Sequence, residues 1–76
     1  MNGDILLMLD ILPNYDLESQ IRVVAAEFQR RFGHWPEKVL LHPSVAGKND
    51  LTKLGMNVET PRYVPPHLMY VGGTPA

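Results

Sequence analysis

The stretch DLESQIRVVAAEFQRRFG, residues 16–33, decides the fold, because it carries the signals of one amphipathic helix from start to stop. Asp16 precedes it as an N-cap that can accept from the exposed amides of the first turn. Gly33 follows it as a left-handed C′ residue. The apolar residues recur at helical spacing and form a single stripe: Leu17, Ile21, Val24, Ala25, Phe28 and Phe32. The stretch predicts one helix that packs by one face.

The charged residues of this stretch support the same helix. Glu18 with Arg22 and Glu27 with Arg31 are i,i+4 pairs in the favourable orientation. Arg30 and Arg31 also lie in the last turn, where they oppose the negative end of the helix dipole.

An apolar run precedes the helix at residues 4–12, DILLMLDIL. Its five consecutive apolar residues, 5–9, favour a strand buried on both faces. Its leucines and methionine also suit a helix, and this alternative stays open. Pro13 and Asn14 end the run in either case.

The second half of the chain contains only short elements. The sequence predicts a turn at Trp35-Pro36, a strand over residues 39–42, a loop with one helical turn over 47–55, a half-buried strand over 56–60 and a last strand over 68–71. Pro61, Pro65 and Pro66 restrict this region to an edge strand or a broken one. We therefore expect an α/β (α+β) fold in which the helix over 16–33 packs on one face of a three- to four-stranded sheet. The domain spans residues 1–71, and residues 72–76 form a flexible tail.

Length and composition set limits on function. Seventy-six residues make one domain with a marginal core. The absence of cysteine removes disulfides and thiolate zinc sites, so oligomerisation is the expected reinforcement. A net charge of −1 argues against a nucleic-acid partner and against an electrostatic membrane anchor. The apolar run lacks the features of a signal peptide and is too short to span a bilayer, so we expect a cytoplasmic protein without membrane contact.

Motifs for chemistry are weak. The spacing of His34, His42 and His67 fits no compact zinc site, and no metal or cofactor is expected. His42 and Ser44 would need a turn in order to meet, and no nucleophile elbow is present. Residues 44–49, SVAGKN, lack the first glycine and the hydroxyl of a phosphate loop. Asp10 stands within an apolar run, where burial would raise its pKa, but a position near the strand end is the favoured interpretation.

The cluster RRFGHWPEK, residues 30–38, is the strongest candidate for binding. Arginine beside an exposed tryptophan can stack a base and hold a phosphate, and the same residue types are enriched at protein interfaces. The candidate binding residues are Arg30, Arg31, His34, Trp35, Lys38, Tyr63 and Tyr70. No catalytic residue is predicted.

Three segments carry a resemblance to a known family. PEKVLLHP at 36–43, LGMNV at 54–58, and VPP with YVG between 64 and 72 resemble the C-terminal part of tailed-phage major capsid proteins. Pro66-His67 stands where that family has a glycine after the proline. The resemblance implies phage ancestry and a role in assembly, and it implies no catalytic residue.

These observations lead to one main hypothesis and one alternative. The main hypothesis is a non-enzymatic protein-interaction module, self-associating and phage-encoded, that binds, blocks or assembles a macromolecular partner. The alternative is a binder of a small anionic ligand or nucleotide that uses Arg30, Arg31, His34, Trp35 and Lys38. An enzyme acting through His42 or Asp10 ranks last.

Overall fold

A computed structural model describes residues 3–74. The elements are β1 (Ile5–Asp10), α1 (Leu17–Phe32), β2 (Lys38–Leu40), α2 (Pro43–Ala46), β3 (Asn57–Glu59) and β4 (Leu68–Gly73). The strands form one mixed sheet in the order β1-β4-β2-β3. β4 is antiparallel to β1 and to β2, whereas β2 and β3 are parallel. The predicted α+β class is confirmed.

The predicted helix is confirmed together with both of its caps. The Asp16 carboxylate accepts from the Ser19 amide at 2.9 Å. Gly33 has φ +84° and donates its amide to the Gln29 carbonyl. Five of the six stripe residues are buried, and Phe32 is partly buried.

The main core lies between α1 and one face of the sheet. Val39 of β2 and Val71 of β4 are register partners and are fully buried. α1 covers them, and two leucines from the loop before β3, Leu51 and Leu54, join the same cluster. The apolar stripe predicted from the sequence therefore supplies one wall of the core. Burial of such apolar surface stabilises the folded state by roughly 25 cal/mol per Å².

The segment at residues 4–12 forms a strand, and the helical alternative is wrong. The expectation that this strand is buried on both faces is also wrong, because no residue of β1 is fully buried. β1 lies at the edge of the sheet and pairs only with β4. Its apolar run therefore belongs to an exposed edge.

The predicted helical turn lies earlier than expected, in α2 rather than in residues 47–55. Pro43 suits the first helical position, and His42 Nδ1 accepts from the Ser44 amide at 3.1 Å as the N-cap. In the predicted segment Asp50 instead caps an irregular turn, since its carboxylate accepts from the Thr52 amide. Gly55 sits in that turn with φ +74°.

The predicted flexible tail begins too early. Gly72 and Gly73 belong to β4 and are buried, and residues 75–76 lie outside the described part of the chain. A Cβ on Gly72 would overlap the Ile5 carbonyl oxygen. The glycine is thus needed for the close approach of β1 to β4.

β3 forms the opposite edge of the sheet, as the prolines predict. It has three residues, and Pro61 follows it after one further residue. The two edges of the sheet are therefore unlike, since one is long and apolar and the other is short.

Candidate interaction surface

The backbone of β1 offers hydrogen-bonding groups along the edge of the sheet. Ile11 continues the β1–β4 register and donates its amide to the His67 carbonyl at 2.8 Å. Hydrogen-bonded pairs alternate along an antiparallel ladder. The N–H and C=O groups of Ile5, Leu7 and Leu9 therefore point to β4, and those of Leu6, Met8 and Asp10 point outward.

The side chains of β1 make both sides of this edge apolar. Leu7 and Leu9 lie on the face that α1 covers, opposite Val71 and Met69 of β4. Leu6 and Met8 lie on the other face of the sheet, and 58% of Met8 is exposed. Native edge strands are usually protected by lysine, proline or a bulge, and β1 carries only Asp10 at its end.

Two shallow grooves run between β1 and α1. One has a volume of about 360 Å³ and is lined by Leu9, Leu12, Tyr15 and Val23 among others. The other, of about 450 Å³, continues along Leu7 and Val23 toward Arg31. Val23 is 71% exposed and Tyr15 is 68% exposed. We call the outward edge of β1 together with these grooves the β1–α1 surface.

The side chain of Gln20 closes one end of this edge. Its Oε1 accepts from the Leu12 amide at 2.8 Å. Its Nε2 donates to the Leu12 carbonyl at 2.9 Å and to the Tyr15 carbonyl at 3.0 Å. The outward backbone groups after Asp10 are thus occupied from α1, and the accessible edge stops there.

Charged side chains lie at both ends of β1. Lys38 Nζ pairs with the Asp4 carboxylate, and this hydrogen bond raises the pKa of Lys38. Asp10 makes no ion pair within residues 3–74. It is exposed at the end of β1, which is the position that the sequence analysis favoured.

The two arginines of the predicted cluster bind one carboxylate of their own helix. Arg30 and Arg31 both donate to Glu27, at 2.6 and 2.7 Å. Hydrogen bonds from Arg30 and then Arg31 hold the pKa of Glu27 below its usual value. The same contact raises the pKa of Arg30. Both guanidinium groups are therefore held by one carboxylate of α1, and their side chains remain 72% and 54% exposed.

The remaining members of the cluster have other partners. Trp35 Nε1 donates to the Leu54 carbonyl at 3.0 Å, and the ring packs partly buried against the core. His34 Nδ1 lies 3.0 Å from the Trp35 carbonyl, and its ring meets Phe28 edge-on at 5.4 Å. The groove lined by Trp35 is a different one from the groove lined by Arg31, so the structure does not unite the cluster at one groove.

The two predicted tyrosines are separated. Tyr63 is largely exposed in the loop before β4. Tyr70 lies in β4 as the register partner of Met8, on the face of the sheet away from α1. Only Tyr70 thus adjoins β1.

The sequence analysis missed Leu12, Tyr15, Gln20 and Val23. The available signal was Val23, which is apolar but stands next to the buried stripe of α1 rather than within it. The edge position of β1 left no such signal, because strand order depends on pairing between distant segments.

The structure does bring His42 and Ser44 together. Ser44 Oγ lies 2.8 Å from His42 Nδ1, which also accepts from the Ser44 amide. Because an amide can only donate, the neutral ring carries its proton on Nε2. The pair works as the cap of α2.

The SVAGKN segment of the sequence analysis has a plain structural role. Gly47 of the SVAGKN segment has φ −69° and closes α2. Within residues 3–74 no group of three or more histidine and acidic side chains is placed to hold a metal ion. No helix in that range has the length and apolar character needed to cross a membrane.

No family model matches this chain, and no curated protein and no solved structure matches it either.

Proposed function

We propose that this chain is a non-enzymatic protein-interaction module that self-associates through the β1–α1 surface. The observation that carries the proposal is the exposed apolar edge of β1, with outward backbone groups at Leu6, Met8 and Asp10. Strand addition to such an edge gains main-chain hydrogen bonds, and the adjoining apolar side chains add burial. A second copy supplies both.

Size supports self-association. A typical stable interface buries roughly 800 Å² on each partner. The molecule has 4840 Å² of surface, so about a sixth of it would be buried. Four exposed apolar side chains line one groove together and provide an apolar patch for this burial: Leu9, Leu12, Tyr15 and Val23.

The proposal extends to the assembly of a macromolecular partner by a phage-encoded module. It is supported here by the resemblance of residues 36–72 to the C-terminal part of tailed-phage capsid proteins, whose role is assembly. Strand addition is also a common way for one chain to capture an extended segment of another.

The test is Val23→Lys, read by light scattering across a concentration series. We expect the unmodified chain to have twice the mass of one chain at the upper concentrations. Val23→Lys should reduce it to the mass of one chain, because a lysine amine in a buried interface is desolvated without a partner. Thermal melting of the dilute, monomeric variant should match that of the dilute parent, since exposed surface substitutions change stability by about 0.5 kcal/mol or less.

Gln29→Lys is the matched control. Gln29 is exposed on α1 and lines neither groove of the β1–α1 surface. This variant should keep the parent mass. A monomeric parent, or a Val23→Lys variant that associates as well as the control, would refute the proposed surface.

A further inference from the structure

We infer that two copies join across a two-fold axis at Leu7, by antiparallel pairing of β1 with β1 of the second copy. The inference rests on the proposed function and specifies its partner and register. The product is one continuous eight-stranded sheet with both α1 helices on the same face.

The alternation of β1 limits the possible registers. Paired residues in neighbouring strands share a face of the sheet. Leu7 and Leu9 face α1, whereas Leu6, Met8 and Asp10 face away. If α1 of each copy is to lie on the same side of the joined sheet, even-numbered residues must pair with even-numbered ones and odd with odd.

Only the Leu7 centre places every apolar residue of β1 opposite another apolar residue. On the α1 face Leu7 meets Leu7 of the second copy, and Ile5 meets Leu9. On the other face Leu6 meets Met8, and these two exchange both main-chain hydrogen bonds with their outward groups. A centre at Met8 would place Leu6 opposite Asp10, and a centre at Leu6 would place Met8 opposite Asp4.

The ends of this pairing are also compatible with the structure. Asp10 comes opposite Asp4 of the second copy, and that Asp4 already holds the Lys38 amine. Two carboxylates then share one ammonium group at each end. Beyond Asp10, Gln20 occupies the Leu12 amide and carbonyl, so the paired segment ends where the structure closes the edge.

The α1 side of the axis is also apolar. Val23 is 71% exposed and lines both grooves. Leu9 lines both grooves with it, and Leu7 lines the second. In the proposed dimer Val23 of each copy lies beside the paired strands, where the second copy covers it.

Single cysteines test the register, because the chain has no cysteine of its own. Leu7→Cys places the two thiols on the axis at a non-hydrogen-bonded pair, where Cα atoms lie about 4.5 Å apart and within disulfide reach. In Met8→Cys each thiol faces Leu6 of the other copy, so the two thiols are displaced from each other by two residues along the strands. We expect Leu7→Cys to form a covalent dimer under mild oxidation at least tenfold faster than Met8→Cys or the exposed Gln29→Cys.

A mixture provides a second measurement that leaves Leu7 intact. We expect Leu6→Cys alone and Met8→Cys alone to cross-link slowly, because each cysteine then faces a residue that is not cysteine. An equimolar mixture of the two variants should cross-link quickly, because the cysteine at position 6 of one chain then faces the cysteine at position 8 of the other. Adding Val23→Lys to Leu7→Cys should remove its advantage. These results together would support the Leu7 centre.

The outcomes separate the two proposals. Faster cross-linking of Met8→Cys than of Leu7→Cys, or a dimer by light scattering with no advantage for either Leu7→Cys or the mixture, would overturn the register and leave self-association standing. A parent chain that stays monomeric at all concentrations would overturn both.

Discussion

The indole of Trp35 is an internal anchor. Its Nε1–H binds the Leu54 carbonyl at 3.0 Å, across a separation of 19 residues. A Cβ added to Gly55, which has φ +74°, would lie 3.8 Å from the same ring nitrogen. A residue type that is enriched at interfaces here fastens the loop before β3 to the start of β2.

Trp35→Phe should therefore lower stability without weakening association. The substitution leaves the Leu54 carbonyl without its donor, which costs about 1–3 kcal/mol in the free energy of unfolding. Urea unfolding measures the loss, and light scattering should show an unchanged dimer. Tyr63→Phe is the control, since it removes a donor from an exposed loop. A stable Trp35→Phe protein that fails to dimerise would instead make Trp35 a contact residue.

Helix α1 was predictable because its signals are local. Asp16, Gly33 and the apolar stripe act within a few residues of one another, and the structure places caps and buried face accordingly. β1 was predictable as a strand but not as an edge. The Leu7–Val71 pair joins residues from opposite ends of the chain, and only that pairing decides which strand is left uncovered.

The candidate site was likewise predictable where its signals are local and not where it depends on distant contacts. The sequence showed the residue types of the 30–38 cluster. Which of these side chains are available for binding depends on their hydrogen-bond partners in the fold. Glu27 binds both arginines from within α1. The groove residues of the β1–α1 surface come from two elements whose relative position depends on the whole sheet.

The Glu27 network gives α1 a pH dependence. The pKa of Glu27 is lowered from 4.5 in the folded chain. Its contribution to stability is therefore present above about pH 4.5 and is lost as pH falls through the lower folded value. Glu27→Gln should be less stable than its parent at pH 7, and the difference should be smaller at pH 3.

Thermal melts at the two pH values measure this effect, at a concentration low enough that the chain is monomeric. Added salt should reduce the difference at pH 7, because the three side chains are exposed enough for screening. A difference that is the same at both pH values would contradict the ion-pair origin.

At the scale of the whole molecule, we expect charge to limit the strength of the proposed dimer. The proposed register brings Asp10 opposite Asp4 of the second copy at both ends, with Lys38 between them. Asp10→Asn should tighten the dimer by about two- to tenfold, because like charges directly opposite one another destabilise a strand pair. Sedimentation across a dilution series gives the dissociation constant.

Glu18→Gln is the control for this change. It removes the same charge from α1, and Glu18 lines neither groove of the β1–α1 surface. Its dimer should have the parent dissociation constant. A tighter dimer in both variants would indicate a general effect of net charge, and no change in Asp10→Asn would contradict the opposition of Asp4 and Asp10.

The three-residue edge at β3 has a consequence for the growth of any assembly. Once two copies have joined through β1, both outer borders of the joined sheet are β3. Each border is short and is followed within two residues by Pro61, which cannot donate a main-chain hydrogen bond. Neither border is a good template for a third chain. We therefore expect the proposed assembly to stop at two copies, because pairing removes the edge from which a fibre could start.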